Sequence, residues 1–183
     1  IRGDAPAGAS VDDEMDDRLG VPVYSLYGAN KKPSIESLRP IDVMIVDLQG
    51  VGARFYTYES TLANVMAACG EAGIPVWVPD RPNPISGMNP EGPILDPEFA
   101  SFIGMFPIPI RHALTMGELA RLMVDSFGVK CDLRVIPMQG WSREMFWNDT
   151  GLRWVKLSPS MVEPVTALVY PGTCLLEGTN ASE

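Results

Sequence analysis

The chain has 183 residues, enough for one domain or for one and part of a second. Lys and Arg number 14 against 23 Asp and Glu, a formal net charge of −9 that repels phosphate backbones and argues against nucleic-acid binding. Apolar residues make up 46% and charged residues 20%, a globular composition. No run approaches the roughly 20 apolar residues of a membrane span.

The first twenty residues are rich in Gly, Ala and Pro, then acidic at Asp12, Asp13, Glu14, Asp16 and Asp17. This reads as a solvated loop, and its spacing does not match a calcium loop. Val21 to Tyr27 reads as a strand, ended by Gly28-Ala29-Asn30. Ser34 caps a short helix through Leu38, and Pro40 stops it. Ile41 to Leu48 is a near-continuous apolar run with β-branched residues. Such a run is the pattern of a parallel strand buried on both faces. Thr57 to Ala72 follows as a helix, with Leu62, Val65, Met66 and Cys69 on one stripe. Ile74 to Val78 is the next strand, completing a βαβ unit.

From Pro79 to His112 the chain is proline-rich and without periodicity, and a stretch that long is usually functional. Thr115 and Glu118 form a capping box, with Leu114 and Leu119 as its staple. Leu119, Leu122, Met123 and Phe127 line the buried face of that helix, and Gly128 closes it. Asp132 to Pro137 is another strand. After Gly140 the texture changes, with Trp141, Phe146, Trp147 and Trp154 spaced irregularly. A boundary near Gln139–Gly140 divides residues 1–139 from a smaller second domain that begins in 140–183. Pro164 and Thr166 open a short helix through Val169, and Tyr170-Pro171-Gly172 is a turn. Cys69, Cys131 and Cys174 are far apart, form no C-x-x-C, and read as small buried apolar residues. With a single His, no His-rich zinc site is expected.

In an open parallel sheet, ligands bind outside the carboxyl ends of the strands. Asp47-Leu48-Gln49 runs into Arg54-Phe55-Tyr56, and the next strand ends in Asp80-Arg81-Pro82-Asn83-Pro84. Both clusters face one rim if the strands are parallel. Asp47 and Asp80 serve a site there, or they cap nearby backbone and, with Arg81, hold a loop. Arg54 and Arg111 clamp a carboxylate bidentately, or form structural ion pairs. His112, directly before a helix, is a proton carrier, a ligand donor or a structural cap. Glu91, in Pro90-Glu91-Gly92-Pro93, is a positioned acid or a turn residue; Glu177 and Asn180 pose the same question. There is no Walker loop and no G-x-S-x-G elbow, and Gly50-Val51-Gly52 lacks the third glycine of a dinucleotide fingerprint.

Six segments in series carry a resemblance. They are Pro22-Val23-Tyr24-Ser25-Leu26-Tyr27-Gly28, Asp47-Leu48-Gln49 with Val51-Gly52-Ala53-Arg54-Phe55-Tyr56-Thr57-Tyr58, Asp80-Arg81-Pro82-Asn83-Pro84, Glu91-Gly92-Pro93, Pro109-Ile110-Arg111-His112, and Tyr170-Pro171-Gly172-Thr173 with Glu177-Gly178-Thr179-Asn180. Together they resemble the bacterial NamZ-type exo-β-N-acetylmuramidases. The resemblance implies an α/β fold: a Rossmann-like parallel sheet with flanking helices, followed by the start of a smaller C-terminal α+β domain. It implies release of terminal N-acetylmuramic acid from peptidoglycan fragments, no cofactor, and a periplasmic or secreted location. Members of this family carry a Pro-Glu-His-Gly segment ahead of the Arg-Gly seen here as Arg2-Gly3. Its Glu is the candidate for the principal acid, and the 183 residues read as a middle portion. Glycoside cleavage also uses a second group, for which Asp47 and Glu91 are the candidates. The lactyl carboxylate of muramic acid calls for an Arg clamp: Arg54 first, Arg111 second. Tyr56 and Tyr58 are candidates to stack on a sugar face, and Gln49, Asn83 and His112 to bond its polar groups.

Overall fold

The structure, a computed structural model, describes residues 11–179. Its central sheet has three parallel strands in the order β3 (Met44–Ile45), β4 (Val76–Pro79), β7 (Leu133–Ile136). Met44 pairs with Val76, and Val76 with Leu133, so the three strand exits end at one level. Helix α2 (Tyr58–Ala72) joins β3 to β4, and α3 (Met116–Asp125) leads into β7.

Each helix forms where its sequence dictates. The stripe of Leu62, Val65, Met66 and Cys69 on α2 is buried. The N-terminus of α3 is closed by its capping box: Thr115 Oγ1 accepts from the Glu118 amide at 3.1 Å, and Glu118 Oε2 accepts from the Thr115 amide at 3.0 Å. Both helices pack against the sheet in a core that includes Leu38, Val46, Leu62, Met66, Val76, Val78, Leu119 and Met123. The short helix α1 (Ile35–Leu38) is capped by Ser34, as its sequence predicts.

The remaining elements depart from the sequence reading in five places. The acidic stretch is not a loop: β1 (Glu14–Asp16) pairs antiparallel with β2 (Val21–Val23). Asp16 Oδ1 accepts from the amides of Arg18 and Leu19 at 2.9 and 3.0 Å, so an acid there makes a turn. The strand expected over Val21–Tyr27 shrinks to this hairpin. The Ile41–Leu48 run is not buried on both faces, because the helices packed on the sheet cover one side. Ile45 is 58% exposed, and on the same bare face the Arg134 guanidinium lies 4.8 Å from the Trp77 ring centroid.

The proline-rich stretch is ordered, since β5 (Glu91–Ile94) pairs antiparallel with β6 (Pro109–Arg111). Finally, Tyr170-Pro171-Gly172 is not a turn but the last part of α4 (Pro164–Thr173). Pro171 lies inside the helix and removes the backbone donor that would otherwise meet the Ala167 carbonyl. A second apolar cluster joins Val51, Ala53, Tyr56 and Ile85 to Met161, Ala167, Tyr170 and Cys174. Residues after Gly140 therefore pack onto the loops that leave the sheet. Cys69 and Cys174 are buried, Cys131 is half-buried, and all three are free thiols.

Candidate functional site

The exits of β3 and β4 are laced together. Asp47, just past β3, receives a bidentate contact from Arg81: Nε to Oδ1 at 2.7 Å and Nη2 to Oδ2 at 2.8 Å. Both side chains are roughly half exposed. The Arg81 hydrogen bond holds the Asp47 carboxyl below the usual carboxylate range, against the opposing pull of partial burial. Gln49 Nε2 donates to the Gly50 and Pro82 carbonyls, both at 2.8 Å, while its Oε1 is buried without a partner.

Asp80 is turned under this rim. Its Oδ1 accepts from the amides of Arg81 (2.9 Å) and Gly117 (2.7 Å), and its Oδ2 from Thr115 Oγ1 (3.0 Å). A carboxylate thus sits on the N-terminus of α3, where the unpaired amides and the helix dipole favour it. Position 117 has to be glycine for this approach, because a Cβ there would lie 2.6 Å from Val135 Cγ1 and 2.7 Å from Asp80 Cγ.

The Gly-Val-Gly loop is a packing device. Gly52 has φ +82°, and a Cβ there would meet Asn83 Oδ1 at 2.5 Å and Ile85 Cγ1 at 2.6 Å. Asn83 is buried, with Nδ2 on the Leu114 carbonyl (3.0 Å) and Oδ1 on the Ile85 amide (3.1 Å). The same loop pairs with β6: the Arg54 amide donates to the Ile110 carbonyl (2.8 Å), and the His112 amide to the Gly52 carbonyl (3.3 Å). Across the hairpin, Arg111 Nη1 donates to Glu91 Oε2 at 2.7 Å, and Nη2 holds the Ile85 carbonyl. Glu91 is 63% exposed while Arg111 is largely covered, and Arg111 Nε is buried without a partner. Ser86 (φ 72°) and Ala113 (φ 58°) adopt left-handed backbone conformations that L-residues avoid, each beside a residue of this lattice.

Arg54 does not face an open cleft. Its Nη1 donates to the carbonyls of Pro93 (3.1 Å) and Ile108, and burial lowers the pKa of the guanidinium. It braces the β5–β6 hairpin from beneath. His112 is also interior: Nε2 meets Glu59 Oε1 at 2.8 Å, with side chains 2% and 6% exposed. Nδ1 accepts from the Leu114 amide at 3.1 Å. Glu59 was not singled out from the sequence. The signal was a carboxylate in the first turn of α2 in line with Leu62 and Met66, a charge on the apolar stripe.

Tyr56 and Tyr58 belong to an aromatic cluster. Their ring centroids are 4.8 Å apart, with Tyr170 6.2 Å from Tyr56 and Tyr27 6.4 Å from Tyr58. Burial raises the phenol pKa of Tyr56, Tyr58 and Tyr170. Tyr58 donates to the Leu157 carbonyl at 2.9 Å, and Tyr170 to Glu177 Oε2 at 3.1 Å. Asn180 lies outside the described residues. Among those described, no group of three or more His, Cys, Asp or Glu side chains could hold a metal ion. An open recess of about 330 Å³ is lined by Lys31, Asn64, Ser101, Phe102 and Met105, and it shares no residue with the rim.

A family model described as "Exo-beta-N-acetylmuramidase NamZ, N-terminal" matches residues 1–165. The chain belongs to the NamZ family. Over all 183 residues it is 51% identical to the peptidoglycan beta-N-acetylmuramidase NamZ of Bacillus subtilis (strain 168), of which it covers 44%. Crystal structures of two DUF1343 family proteins from Bacteroides fragilis are also similar. One has a TM-score of 0.88 at 40% identity, with 97% of this chain and 45% of that chain covered. The other has a TM-score of 0.78 at 37% identity, with 90% and 45% covered. The chain therefore spans less than half the length of these relatives, and it shares the architecture of the two solved structures.

Proposed function

We propose that this chain is part of a glycoside hydrolase that releases terminal N-acetylmuramic acid from peptidoglycan fragments, without a cofactor. The observation that carries the reading is 51% identity to the Bacillus subtilis enzyme along the whole chain. The rim geometry supplies chemistry consistent with it.

Glycoside hydrolysis uses one carboxylic acid to protonate the leaving oxygen and a second group on the opposite face. Arg81 keeps Asp47 ionised, so Asp47 suits the second role, as base or stabiliser of positive charge, rather than proton donor. Glu91 is a second accessible carboxylate, held by Arg111. Arg54 is committed to backbone carbonyls, which moves the anion-binding role to the rim. Arg81 binds Asp47 through Nε and Nη2 and leaves Nη1 uncommitted for the lactyl carboxylate. Peptidoglycan as substrate fits a periplasmic or secreted location, which fractionation of cells tests. Residues 140–183 are proposed as the start of a second, smaller unit.

The test is a chromogenic β-N-acetylmuramide given to the full-length protein and to its Asp47→Asn and Glu91→Gln variants. Aglycone release by the wild type, lost by at least about a hundredfold in one variant, supports the reading. Binding of the sugar without release by the wild type replaces it with a non-catalytic carbohydrate-binding protein.

A further inference from the structure

We infer that Glu59 is a positioning residue: through His112, its buried carboxylate fixes the end of β6 that carries Arg111, and so places the Glu91–Arg111 pair. The activity readout below rests on the proposed function; the spectroscopic ones do not.

A carboxylate is costly to bury unless it is paired and hydrogen-bonded. Glu59 is 6% exposed and His112 2%, so the pair is sealed between α2 and the segment after β6. The ring nitrogens have distinct tasks. Nδ1 accepts from the Leu114 amide at 3.1 Å and so presents its lone pair. Nε2 therefore carries the hydrogen and donates it to Glu59 Oε1 at 2.8 Å. Glu59 is thus the acceptor that selects the tautomer, and the tautomer is what lets the ring hold the Leu114 amide.

The consequences reach Arg111 along two routes. The His112 amide bonds the Gly52 carbonyl, and Ala53 bridges to Arg111, so Arg111 is pinned directly before the clamped ring. The Leu114 carbonyl in turn holds Asn83, whose oxygen caps the Ile85 amide, and the Ile85 carbonyl receives Arg111. Ala113, between His112 and Leu114, sits at φ 58°, a conformation that persists only where its neighbours impose it. Arg54 and Glu59 also line a common void of about 10 Å³, so the base of the hairpin and the clamp are adjacent.

The experiment compares Glu59→Gln and Glu59→Ala in the full-length protein. Imidazole ¹⁵N spectra, with His112 assigned by difference against His112→Asn, should show the Nε2–H tautomer in the wild type. Gln should preserve it, since its amide oxygen accepts the same hydrogen. Ala should give mixed tautomers and raise hydrogen exchange of the Arg54 and His112 amides by about tenfold. With the chromogenic muramide, Ala should lower kcat/KM by about tenfold, and Gln should restore it. A wild-type Nδ1–H tautomer overturns the inference. So does a folded Ala variant with unchanged tautomer and exchange, or a Gln variant as impaired as Ala. If Ala does not fold, the Gln variant and the wild-type tautomer still decide. A wild type that holds the tautomer yet releases no aglycone fails the proposed function and leaves the clamp standing.

Discussion

Asp80 is predicted to act as a joint between sheet and helix, and its removal measures that joint. Asp80→Ala deletes three hydrogen bonds to one carboxylate, from Arg81 N, Gly117 N and Thr115 Oγ1. Loss of a helix N-terminal acceptor costs about 0.5–2 kcal/mol, and loss of a negative charge on the helix dipole a further 0.3–1 kcal/mol or so. Helix α3 keeps its own capping box through Thr115 and Glu118, so the loss is partial, about 1–3 kcal/mol in all. For a chain of this size each kcal/mol moves Tm by about 2–4 °C, giving a fall of roughly 2–12 °C. Gly117→Ala should cost a comparable amount by driving a methyl into Asp80 and Val135, and the double variant should lose less than the sum. Thermal unfolding followed by circular dichroism reads the effect, alongside KM for the muramide. A variant whose Tm does not change but whose KM rises tenfold or more would refute the joint and return Asp80 to the substrate.

Four more outcomes are expected. Arg54→Met should strand the Pro93 and Ile108 carbonyls, cost about 1–3 kcal/mol and open the 91–111 hairpin to limited proteolysis; unchanged Tm and cleavage would show that Arg54 braces nothing. Arg81→Met removes the contact that lowers the Asp47 pKa, so the acid limb of kcat/KM should move to higher pH. An unmoved limb removes Asp47 from the mechanism. The folded pKa of Asp47 lies below its unfolded value, so its contribution to stability is present above about pH 4 and fades as pH falls through the folded value. Acid titration of Tm for wild type against Asp47→Asn reads that sign. Burial pushes the Cys69 thiol up to about 11 from 9.0. Folding therefore favours the protonated thiol, and stability falls as pH rises from 9.0 to about 11, more steeply in the wild type than in Cys69→Ala.

The parts legible in the sequence are those whose cause is local. A 3.6-residue stripe made α2, a Thr and a Glu three apart made the α3 cap, and apolar β-branched runs made β3 and β4. The rim followed from topology, since parallel strands release their next residues on one side. What stayed hidden was the direction in which each loop side chain turns. Arg54, Asn83 and His112 come from segments that look as suited to a site as Asp47 or Arg81. Only the hairpin pairing of Glu91 with Arg111, across 20 residues, decides that Arg54 lies beneath it. The acidic hairpin was missed for a related reason: composition reports charge, and the Asp16 turn depends on one oxygen and two amides.

Burial separates the charges of this region into two tiers with different work. Asp47, Arg81 and Glu91 keep substantial exposure and exposed-pair energetics, worth little to stability, so their conformations are cheap to change when a ligand arrives. Glu59, His112, Asp80, Asn83 and the Nη1 of Arg54 are engaged within the lattice, where breaking one bond strands a partner in low dielectric. The inner tier therefore cannot serve as ligand without unfolding its surroundings, and the outer tier cannot hold its geometry without the inner. Substitutions should sort accordingly: changes at Asp47, Arg81 or Glu91 move kinetics with Tm nearly constant, and changes beneath move Tm first. An inner substitution that abolished turnover at unchanged Tm and unchanged amide exchange would break that division.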